Sequence, residues 1–355
     1  MTSVAPLDSG IIGDIAGRSV ALQFTTTEAE YAALRDSAIV IDRSHRTRMT
    51  FEGDRRLDTL TGLVTNDVGA LMPGTGQYAA ALTPRGKIIS DVRIFARTSD
   101  LLVDVPARAA AGFVAMIRKF VNPRATRYVD QTESLGDIGV FGPRARNVVA
   151  SFTGLTSDVL ASLPPYASIA TKALGHAVLV IRVPDIAIEG YELIAPAEAR
   201  SALWRAAIEL GAVPAGLDAW EIARIEAGRP EWGLDIDDAT IPQEANFDDL
   251  HAISYTKGCY TGQETVARVH FRGHVNRHLR GLSYSGATPL PRFAQLLGDA
   301  DKVVGDVRSS AISPRLGGIA LAMVRREIAL GGTVRVQPEG GEPTVATVVL
   351  LPFAH

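Results

Sequence analysis

The sequence has little or none of several features that mark particular classes of protein. Cysteine occurs once in 355 residues, at Cys259, so the chain cannot close an internal disulfide. One thiol also cannot supply the four ligands that structural zinc and iron–sulfur sites usually take. No run approaches the roughly 18 to 20 apolar residues that a membrane-spanning helix needs. The 36 basic and 39 acidic side chains leave a net charge of −3, too near balance to indicate wholesale binding to nucleic acid or an acidic membrane.

What is present is typical of a globular protein with more than one domain. Hydrophobic residues make up 46% and charged residues 21% of the chain, and 355 residues exceed what one core normally serves, so two or three domains are expected. Residues 1–17 lack the basic start and apolar run of a secretory signal. We therefore expect a cytoplasmic protein without a membrane partner, and the single cysteine agrees with a reducing compartment.

The first 130 residues predict a mixture of helices and strands. Thr27 and Glu30 form a capping-box pattern that predicts a helix to Ala38, and Asp54 is the predicted cap of a second helix. Residues 77–82 and 87–96, separated by the turn Thr83-Pro84-Arg85-Gly86, predict a hairpin. A strand at 101–105 and a helix at 107–121 complete this mixed unit.

The rest of the chain continues the mixed pattern and then changes character. Strands are predicted at 137–141, 178–183 and 191–194, and helices at 198–210 and 218–227, each helix stopped by a glycine. From Leu279 to Phe353 short apolar runs are cut by Gly and Pro, a pattern that favours an all-β terminal domain.

The lone cysteine lies in an unusual setting, the run Lys257-Gly258-Cys259-Tyr260-Thr261-Gly262-Gln263-Glu264. Gly258 and Gly262 permit positive φ, so the thiol could stand on an exposed turn. Lys257 would lower the pKa of the thiol if its ammonium folded toward the sulfur, and Glu264 would oppose this. The alternative is a small buried hydrophobe, the usual environment of a free cysteine.

The same run carries a family resemblance. Together with Val266-Ala267-Arg268 and Arg272-Gly273, it resembles the hallmark of the YgfZ branch of the glycine-cleavage T-protein (aminomethyltransferase) superfamily. The likeness covers nearly the whole chain, through these segments: Thr65-Asn66-Asp67-Val68, Gly76-Gln77-Tyr78, Gly190-Tyr191-Glu192, Arg224-Ile225-Glu226-Ala227-Gly228, Ile241-Pro242-Gln243-Glu244 and Ile319-Ala320-Leu321.

The resemblance implies an α+β fold, a three-domain ring around a central channel that holds tetrahydrofolate or a derivative. It implies a discontinuous folate-binding first domain at residues 1–47 and 133–275, which carries the cysteine motif. A mixed α/β domain at 48–132 is inserted into it, and a C-terminal β-barrel domain occupies 276–355. In the YgfZ branch it further implies assembly or repair of iron–sulfur proteins, so those proteins or their assembly factors are the expected partners.

The resemblance also assigns site residues. Glu192 matches the carboxylate that grips the pterin edge with paired hydrogen bonds, and Tyr78 matches a tyrosine lining the pocket, where stacking on the ring is a reasonable task. Asn66 and Arg224 are weaker folate-binding candidates, because each could simply serve a turn or a helix surface. Cys259, Lys257 and Asp91 are the candidate catalytic residues, and Gly258, Tyr260, Gly262, Gln263 and Glu264 complete the cysteine motif.

Two positions depart from the aminomethyltransferase pattern. Two adjacent aspartates follow the hairpin turn in those enzymes, whereas here the pair is Ser90-Asp91. An uncharged serine cannot stabilise a developing iminium cation as a carboxylate does, and Asp91 points to the opposite face of the strand. Trp220 stands where the T-protein usually has an arginine. Both changes put aminomethyl transfer in doubt.

A basic segment follows the cysteine motif. Arg268 to Arg280 contains four arginines, three histidines spaced by four residues (His270, His274 and His278) and no acid, so its local potential is positive. It could meet a polyglutamylated folate tail, a partner protein or RNA, or be a solvated linker. A metal site is disfavoured because Gly273 interrupts the helix and no acidic ligand is interleaved.

The resemblance therefore implies a folate-binding protein that assists iron–sulfur enzymes, with Cys259 as its key group. Two alternatives stay open: a folate-dependent aminomethyltransferase or demethylase, and an RNA-associated binding module, for which nucleic acid would be the partner.

Overall fold

The structure is a computed structural model that describes residue 7 and residues 9–354. Within that part, nineteen strands follow one another in chain order: β1 (Ile11–Ile15), β2 (Arg18–Gln23), β3 (Ile39–Asp42), β4 (Thr47–Glu52), β5 (Gly76–Leu82), β6 (Ile88–Ala96), β7 (Asp100–Val105), β8 (Arg127–Asp130), β9 (Leu135–Phe141), β10 (Ser168–Ala173), β11 (His176–Arg182), β12 (Gly190–Pro196), β13 (Val213–Pro214), β14 (Arg277–Tyr284), β15 (Gln295–Leu297), β16 (Val303–Ser313), β17 (Gly317–Arg325), β18 (Thr333–Gln337) and β19 (Thr344–Val349).

Eight α-helices lie among these strands: α1 (Thr27–Asp36), α2 (Arg56–Thr61), α3 (Ala110–Phe120), α4 (Ala145–Thr153), α5 (Ser157–Ser162), α6 (Arg200–Glu209), α7 (Leu217–Glu226) and α8 (Gln263–Arg272). None of the described helices is both long and apolar enough to cross a membrane. The α+β architecture expected from the sequence is confirmed.

Two open sheets form the first part of the molecule. The first has six strands in the order β10-β11-β12-β9-β3-β13, in which only the β3–β13 pair is parallel. The second has five strands in the order β5-β6-β7-β4-β8, all antiparallel. The chain leaves the first sheet after β3, forms the whole second sheet, and returns with β9. The predicted domain boundaries at 47, 132 and 275 stay a prediction.

The last part of the chain closes on itself. Strands β14, β17, β16, β15, β18 and β19 form a closed six-stranded barrel, and its interior holds an apolar cluster that includes Leu282, Leu296 and Val336. Short strands with alternating buried residues and frequent glycine favour such closure, which leaves no exposed sheet edge. The predicted all-β terminal domain is confirmed as a barrel.

Several local predictions are corrected by the structure. Helix α1 is capped by Thr26, whose side chain accepts a hydrogen bond from the Ala29 amide, and not by Thr27. The Glu30 carboxylate, predicted to close a capping box, instead accepts from the amides of Phe24, Thr25 and Gly216. Helix α2 begins at Arg56 without a side-chain cap, so Asp54 does not cap it.

Other elements were predicted well or not at all. Helices α6 and α7 lie within two residues of their predicted bounds, and the hairpin of β5 and β6 has the predicted turn. The N-terminal hairpin of β1 and β2, the helices α4 and α5, and the strand β10 were not predicted from the sequence.

Candidate functional site

A small cavity lies where the charged faces of the two open sheets meet. Cross-strand pairing places Tyr78 opposite Arg93, and Arg93 opposite Asp104, on one face of the five-stranded sheet. Glu192 pairs with Gly139 on the six-stranded sheet, which puts it on the same face as Asp137. Two ion pairs span the sheets: Arg93 to Glu192 at 2.8 Å and Arg48 to Asp137 at 2.7 Å.

Five arginines and three acids line this central cavity: Arg43, Arg46, Arg93, Arg224, Arg229, Asp91, Asp185 and Glu231. Its free volume is about 20 Å³, which is room for about one water. A ligand the size of a folate therefore enters only after side chains move.

Asp91 is the carboxylate that this cavity leaves incompletely paired. It is buried, and its Oδ2 accepts a hydrogen bond from the Tyr78 hydroxyl at 3.1 Å. Its Oδ1 has no hydrogen-bond partner among the described residues. Burial raises the pKa of Asp91, and the charges of Arg46 and Arg229 act against that rise. One carboxylate oxygen is thus oriented by Tyr78 and the other is free to meet a ligand.

Glu192, predicted to grip the pterin edge, is fully buried and already bound by two arginines. Its Oε1 accepts from Arg93 Nη1 at 3.1 Å, and Arg43 Nε lies 3.6 Å from the same oxygen. Arg93 also contacts Asp104 at 2.9 Å and Asp185 at 3.2 Å. The carboxylate is therefore one corner of a buried charge network, and a ligand that uses it must replace an arginine contact.

Tyr78 is buried among other rings and a cation. The Arg229 guanidinium carbon lies 3.6 Å from the centre of its ring, with Phe247 at 5.3 Å and Tyr166 at 6.4 Å. The ring is thereby occupied by protein groups, so the stacking on a pterin suggested by the sequence requires Arg229 to move. The Tyr78 hydroxyl, which holds Asp91, is the group that the structure puts to use.

Arg229 is itself held from two sides. It donates to the Tyr166 hydroxyl at 2.9 Å and lies 3.3 Å from Asp185. Tyr166 also donates to Asp185 at 2.9 Å. This closed triangle fixes the guanidinium over Tyr78, and sequence reasoning missed all three of its members.

The two weaker folate candidates have structural partners. Asn66 Nδ2 donates to the backbone carbonyls of Tyr78 and His251 at 2.9 and 2.8 Å. Arg224 lines the cavity, but its guanidinium is paired with Asp235 at 2.6 Å and Glu221 at 2.8 Å. Asn66 thus links two backbone segments beside the cavity, and the positive charge of Arg224 is already neutralised by the two carboxylates.

The two departures from the aminomethyltransferase pattern also lie here. Ser90 is buried, and its hydroxyl donates to the carbonyl of Asp91 at 2.6 Å. Trp220 is buried with the Arg43 guanidinium 4.0 Å from its ring centre, and it lines the cavity. The serine therefore supports the backbone at Asp91, while the tryptophan gives the cavity an aromatic wall backed by a cation.

Cys259 lies elsewhere, on an exposed turn. The Lys257 ammonium donates to the carbonyls of Thr61 and Val64 and lies 4.3 Å from the ring centre of Tyr260. Burial lowers the pKa of Lys257 to about 8. Its partners are carbonyls and a ring, so the structure uses the ammonium to hold the turn against the five-stranded unit.

The glycines of the turn differ in their roles. Gly262 has φ of 82°, and a Cβ there would lie 2.5 Å from the Thr83 carbonyl oxygen, so only glycine fits. Gly258, expected to use positive φ, does not have it. Gln263 accepts from the Tyr260 amide at 3.1 Å, which closes the turn at the start of α8, and Glu264 is exposed in the first turn of that helix.

The basic segment is divided between two elements. Helix α8 ends at Arg272 with Gly273 as its C-cap, and β14 begins at Arg277. His270 stacks on Tyr255 with ring centres 3.6 Å apart. Within the described residues, no group of three or more His, Cys, Asp or Glu side chains is arranged to hold a metal ion.

The end of β3 at Asp42 and the loop that follows it to Arg46 separate the central cavity from a larger one. Arg43 and Arg46 line the central cavity, whereas Asp42, Ser44 and His45 line a cavity of about 610 Å³ beside the β1–β2 hairpin. Burial, and then the charges of Arg43, Arg46 and Arg48, lower the pKa of His45 well below its usual value. The imidazole is therefore neutral at physiological pH.

The residues that sequence reasoning missed share one signal. Arg93 lies between Val92 and Ile94, and Asp104 lies between Val103 and Val105, all in buried strands. A charged residue flanked by buried apolar neighbours on a strand needs a partner of opposite charge, because an unpaired buried charge is costly. That pattern could have identified the network, although not which residues pair.

Comparison with known proteins agrees with this architecture. Residues 8–254 match the family described as the GCVT N-terminal domain, and residues 277–354 match the glycine cleavage T-protein C-terminal barrel domain. An aminomethyltransferase of Nostoc sp. is 30% identical over 344 residues, which cover 95% of this chain and 90% of that protein. An aminomethyltransferase of Rubrobacter xylanophilus is 31% identical over 342 residues, 96% and 89% of the two chains.

A solved structure has the same fold. The crystal structure of the glycine cleavage system aminomethyltransferase T from Bartonella henselae superposes with a TM-score of 0.85 at 20% identity, over 97% of this chain and 94% of that one. These relatives do not distinguish the YgfZ branch, so membership of that branch stays a prediction. With both family domains matched in order, the chain belongs to the glycine cleavage T-protein superfamily.

Proposed function

We propose that the protein binds a reduced folate in the central cavity and uses it as the acceptor of a one-carbon unit from an amine donor. The observation that carries this proposal is the buried Asp91, with Oδ2 fixed by Tyr78 and Oδ1 unpartnered at the cavity wall. The names of the aminomethyltransferase relatives support the same reaction class.

Asp91 is placed to stabilise positive charge on the donor. As the carbon–sulfur bond of an aminomethyl thioether donor breaks and the thiol leaves, the nitrogen and carbon share a developing iminium cation, and a fixed carboxylate stabilises it most where water is excluded. Folate, when bound, supplies the nitrogen that accepts the unit. With Ser90 neutral, Asp91 performs this task without a neighbouring carboxylate.

Glu192 and Trp220 are the proposed contacts for the pterin ring. Arg93 has Asp104 and Asp185 as further partners, so it can release Glu192 and remain paired. Glu192 is then free to accept two hydrogen bonds from the pterin edge. The Arg43 guanidinium lies over the Trp220 ring and beside Glu192, so this ring offers a flat surface to the pterin only when Arg43 moves.

The test is one-carbon transfer by the purified protein with Asp91→Asn as the informative variant. Tetrahydrofolate is incubated with an S-aminomethyl thioether, whose transferable carbon is already at the oxidation level of formaldehyde, and methylene-tetrahydrofolate is measured together with the thiol and ammonia that are released. We expect Asp91→Asn to lower turnover about 10²- to 10³-fold and to leave tetrahydrofolate affinity within about 3-fold. Asp58→Asn, at an exposed ion pair, is the matched control and should keep full turnover. Absence of turnover with this donor, or full turnover in Asp91→Asn, contradicts the proposal.

A second candidate function is support of iron–sulfur enzyme assembly or repair with folate bound, as the YgfZ resemblance predicts. The observation that favours it is the exposure of Cys259 on a turn held by Lys257 and Gly262. A rigid, accessible thiol can ligate a metal cluster transiently. Because it is the only cysteine of the chain, the other ligands must come from a partner.

Cys259→Ala separates the two functions. Because the side chain is exposed, we expect the free energy of unfolding to change by less than about 0.5 kcal/mol. If the second function holds, the variant fails to restore iron–sulfur enzyme activity in cells lacking the protein, whereas the neighbouring exposed control Thr256→Ala restores it. Full restoration by Cys259→Ala contradicts the second function and leaves the transfer proposal untouched.

A further inference from the structure

The basic segment enters the barrel in a way that the functions above do not use. On β14, Leu282 and Tyr284 point into the apolar interior of the barrel. Side chains alternate along a strand, so Arg280 and His278 lie on the same face. They continue the interior wall beyond the apolar core, at one end of the barrel.

A second basic pair from a distant part of the sequence meets them there. His278 pairs with Val324 on β17, and Arg325 and Arg326 follow directly. The turn is fixed because the Ile328 amide donates to the Arg325 carbonyl and the Arg326 amide to the Asn276 carbonyl, both at 3.0 Å. His278, Arg280, Arg325 and Arg326 all line a cavity of about 170 Å³ whose rim includes Ile328 and Leu330.

The arginines at this end of the barrel have no carboxylate in direct contact among the described residues. No carboxylate lines the cavity. In the part of the chain that the structure describes, Arg280, Arg325 and Arg326 form no ion pair. The carboxylates nearby have other partners or act only at longer range. Glu244 binds Arg277 and Glu327 binds Lys302, while Glu327 acts on Arg325, and Asp249 on His278 and Arg280, through charge alone.

We infer that the barrel-end cavity, defined by His278, Arg280, Arg325 and Arg326, binds a phosphate group. Guanidinium groups present planar forks of donors that match phosphate oxygens, and three of them here lack competing carboxylates. The volume exceeds that of one phosphate, and the apolar rim at Ile328 and Leu330 suits the organic part of an ester. The ligand class is a phosphate ester, either a free phosphorylated metabolite or a phosphate of an RNA strand.

His278 contributes a neutral donor to this site. Burial, and then the charge of Arg280, lower the pKa of His278. Its ring therefore donates one N–H at neutral pH and adds no charge, so the positive potential comes from the three arginines.

Isothermal titration of the full-length protein tests this site with inorganic phosphate, adenosine monophosphate and an eight-nucleotide uridine RNA as probes. We expect at least one probe to bind, with affinity reduced at least 10-fold in Arg325→Gln/Arg326→Gln and in Arg280→Gln. The control Arg118→Gln/Lys119→Gln removes two exposed cations at the end of α3 and should change affinity less than 2-fold.

The probes separate the two sources of phosphate. Binding of adenosine monophosphate tighter than that of phosphate supports a free ester seated on the apolar rim. RNA binding that weakens steeply with salt and is lost in the arginine variants supports a strand phosphate. The inference is overturned if none of the three probes binds at about 10 mM, or if Arg118→Gln/Lys119→Gln weakens binding as much as the site variants do. It is also overturned if citrate and triglutamate bind as tightly as the phosphate-containing probes. Tetrahydrofolate affinity, measured in the same variants, should not change.

Discussion

The central cavity and the barrel end both concentrate arginines, yet they differ in how the positive charge is balanced. In the central cavity a single arginine, Arg93, contacts three carboxylates, those of Asp104, Asp185 and Glu192, and about 20 Å³ of free space remains. At the barrel end Arg280 and Arg325 lack carboxylate partners among the described residues, and about 170 Å³ is free. Paired arginines hold two sheets together, whereas unpaired ones keep a space open for an anion. Pairing, and not the number of arginines, distinguishes a structural network from a binding site.

The largest expected effect comes from breaking the paired network. Arg93→Ala removes one cation and leaves three buried carboxylates less compensated, so we expect a loss of about 3–5 kcal/mol of unfolding free energy. Arg325→Ala, at the exposed barrel end, should cost less than about 0.5 kcal/mol. Urea denaturation followed by tryptophan fluorescence measures both. Equal losses in the two variants would remove the distinction drawn between the regions.

A smaller effect concerns the charge balance around Asp91. Burial raises the pKa of Asp91, and the positive charge of Arg229 acts to lower it. Arg229→Gln should therefore move the titration of Asp91 to higher pH. The carboxyl ¹³C resonance, assigned by its loss in Asp91→Asn, reports the midpoint directly, and the acid limb of the transfer reaction should move the same way. Arg335→Gln, in the barrel at an ion pair with Asp301, is the control. An unshifted midpoint in Arg229→Gln would show that Arg229 does not set the charge of Asp91.

The smallest effect tests an intermediate case, a half-buried cation held by carbonyls. The pKa of Lys257 is lowered to about 8 in the fold, below its value in the unfolded chain. Between about pH 8 and pH 10 Lys257 is therefore protonated more in the unfolded state than in the folded state. The free energy of unfolding increases as the pH rises through this range. Relative to Lys257→Met, we expect the native chain to gain about 1 kcal/mol across that range, allowing for partial exposure. Parallel stability curves for the two proteins would contradict this.

Local elements were the part of the fold most readily predicted from the sequence. The alternation of Ile88, Ser90, Val92 and Ile94 identified β6, and the turn at Thr83 to Gly86 identified its hairpin, because both depend on neighbours in sequence. The cap of α1 was misplaced by one residue for a tertiary reason. Glu30 reaches the amide of Gly216, a contact across 186 positions that no local rule contains.

Several residues of the central cavity and its charge network were singled out from the sequence, but their arrangement was not, and their roles in binding or catalysis stay a prediction. Asp91, Glu192, Tyr78 and Arg224 were all singled out, and all contribute to or border the central network. Their companions Arg43, Arg46, Asp185 and Arg229 were not. Each of these is an ordinary charged residue in sequence, and its role exists only because two sheets bring their charged faces together.

The sequence by itself determined that Cys259 is the single cysteine, that a family motif surrounds it, and that short periodic patterns form strands and helices. These depend on residue identity and near neighbours. Tertiary structure alone decided which arginines are neutralised and which are left free. Two charges pair only when the fold brings segments about 100 residues apart to within a few ångströms of each other. In a buried, weakly screened interior that distance decides whether an arginine is neutralised by a carboxylate or stays available to bind an anion.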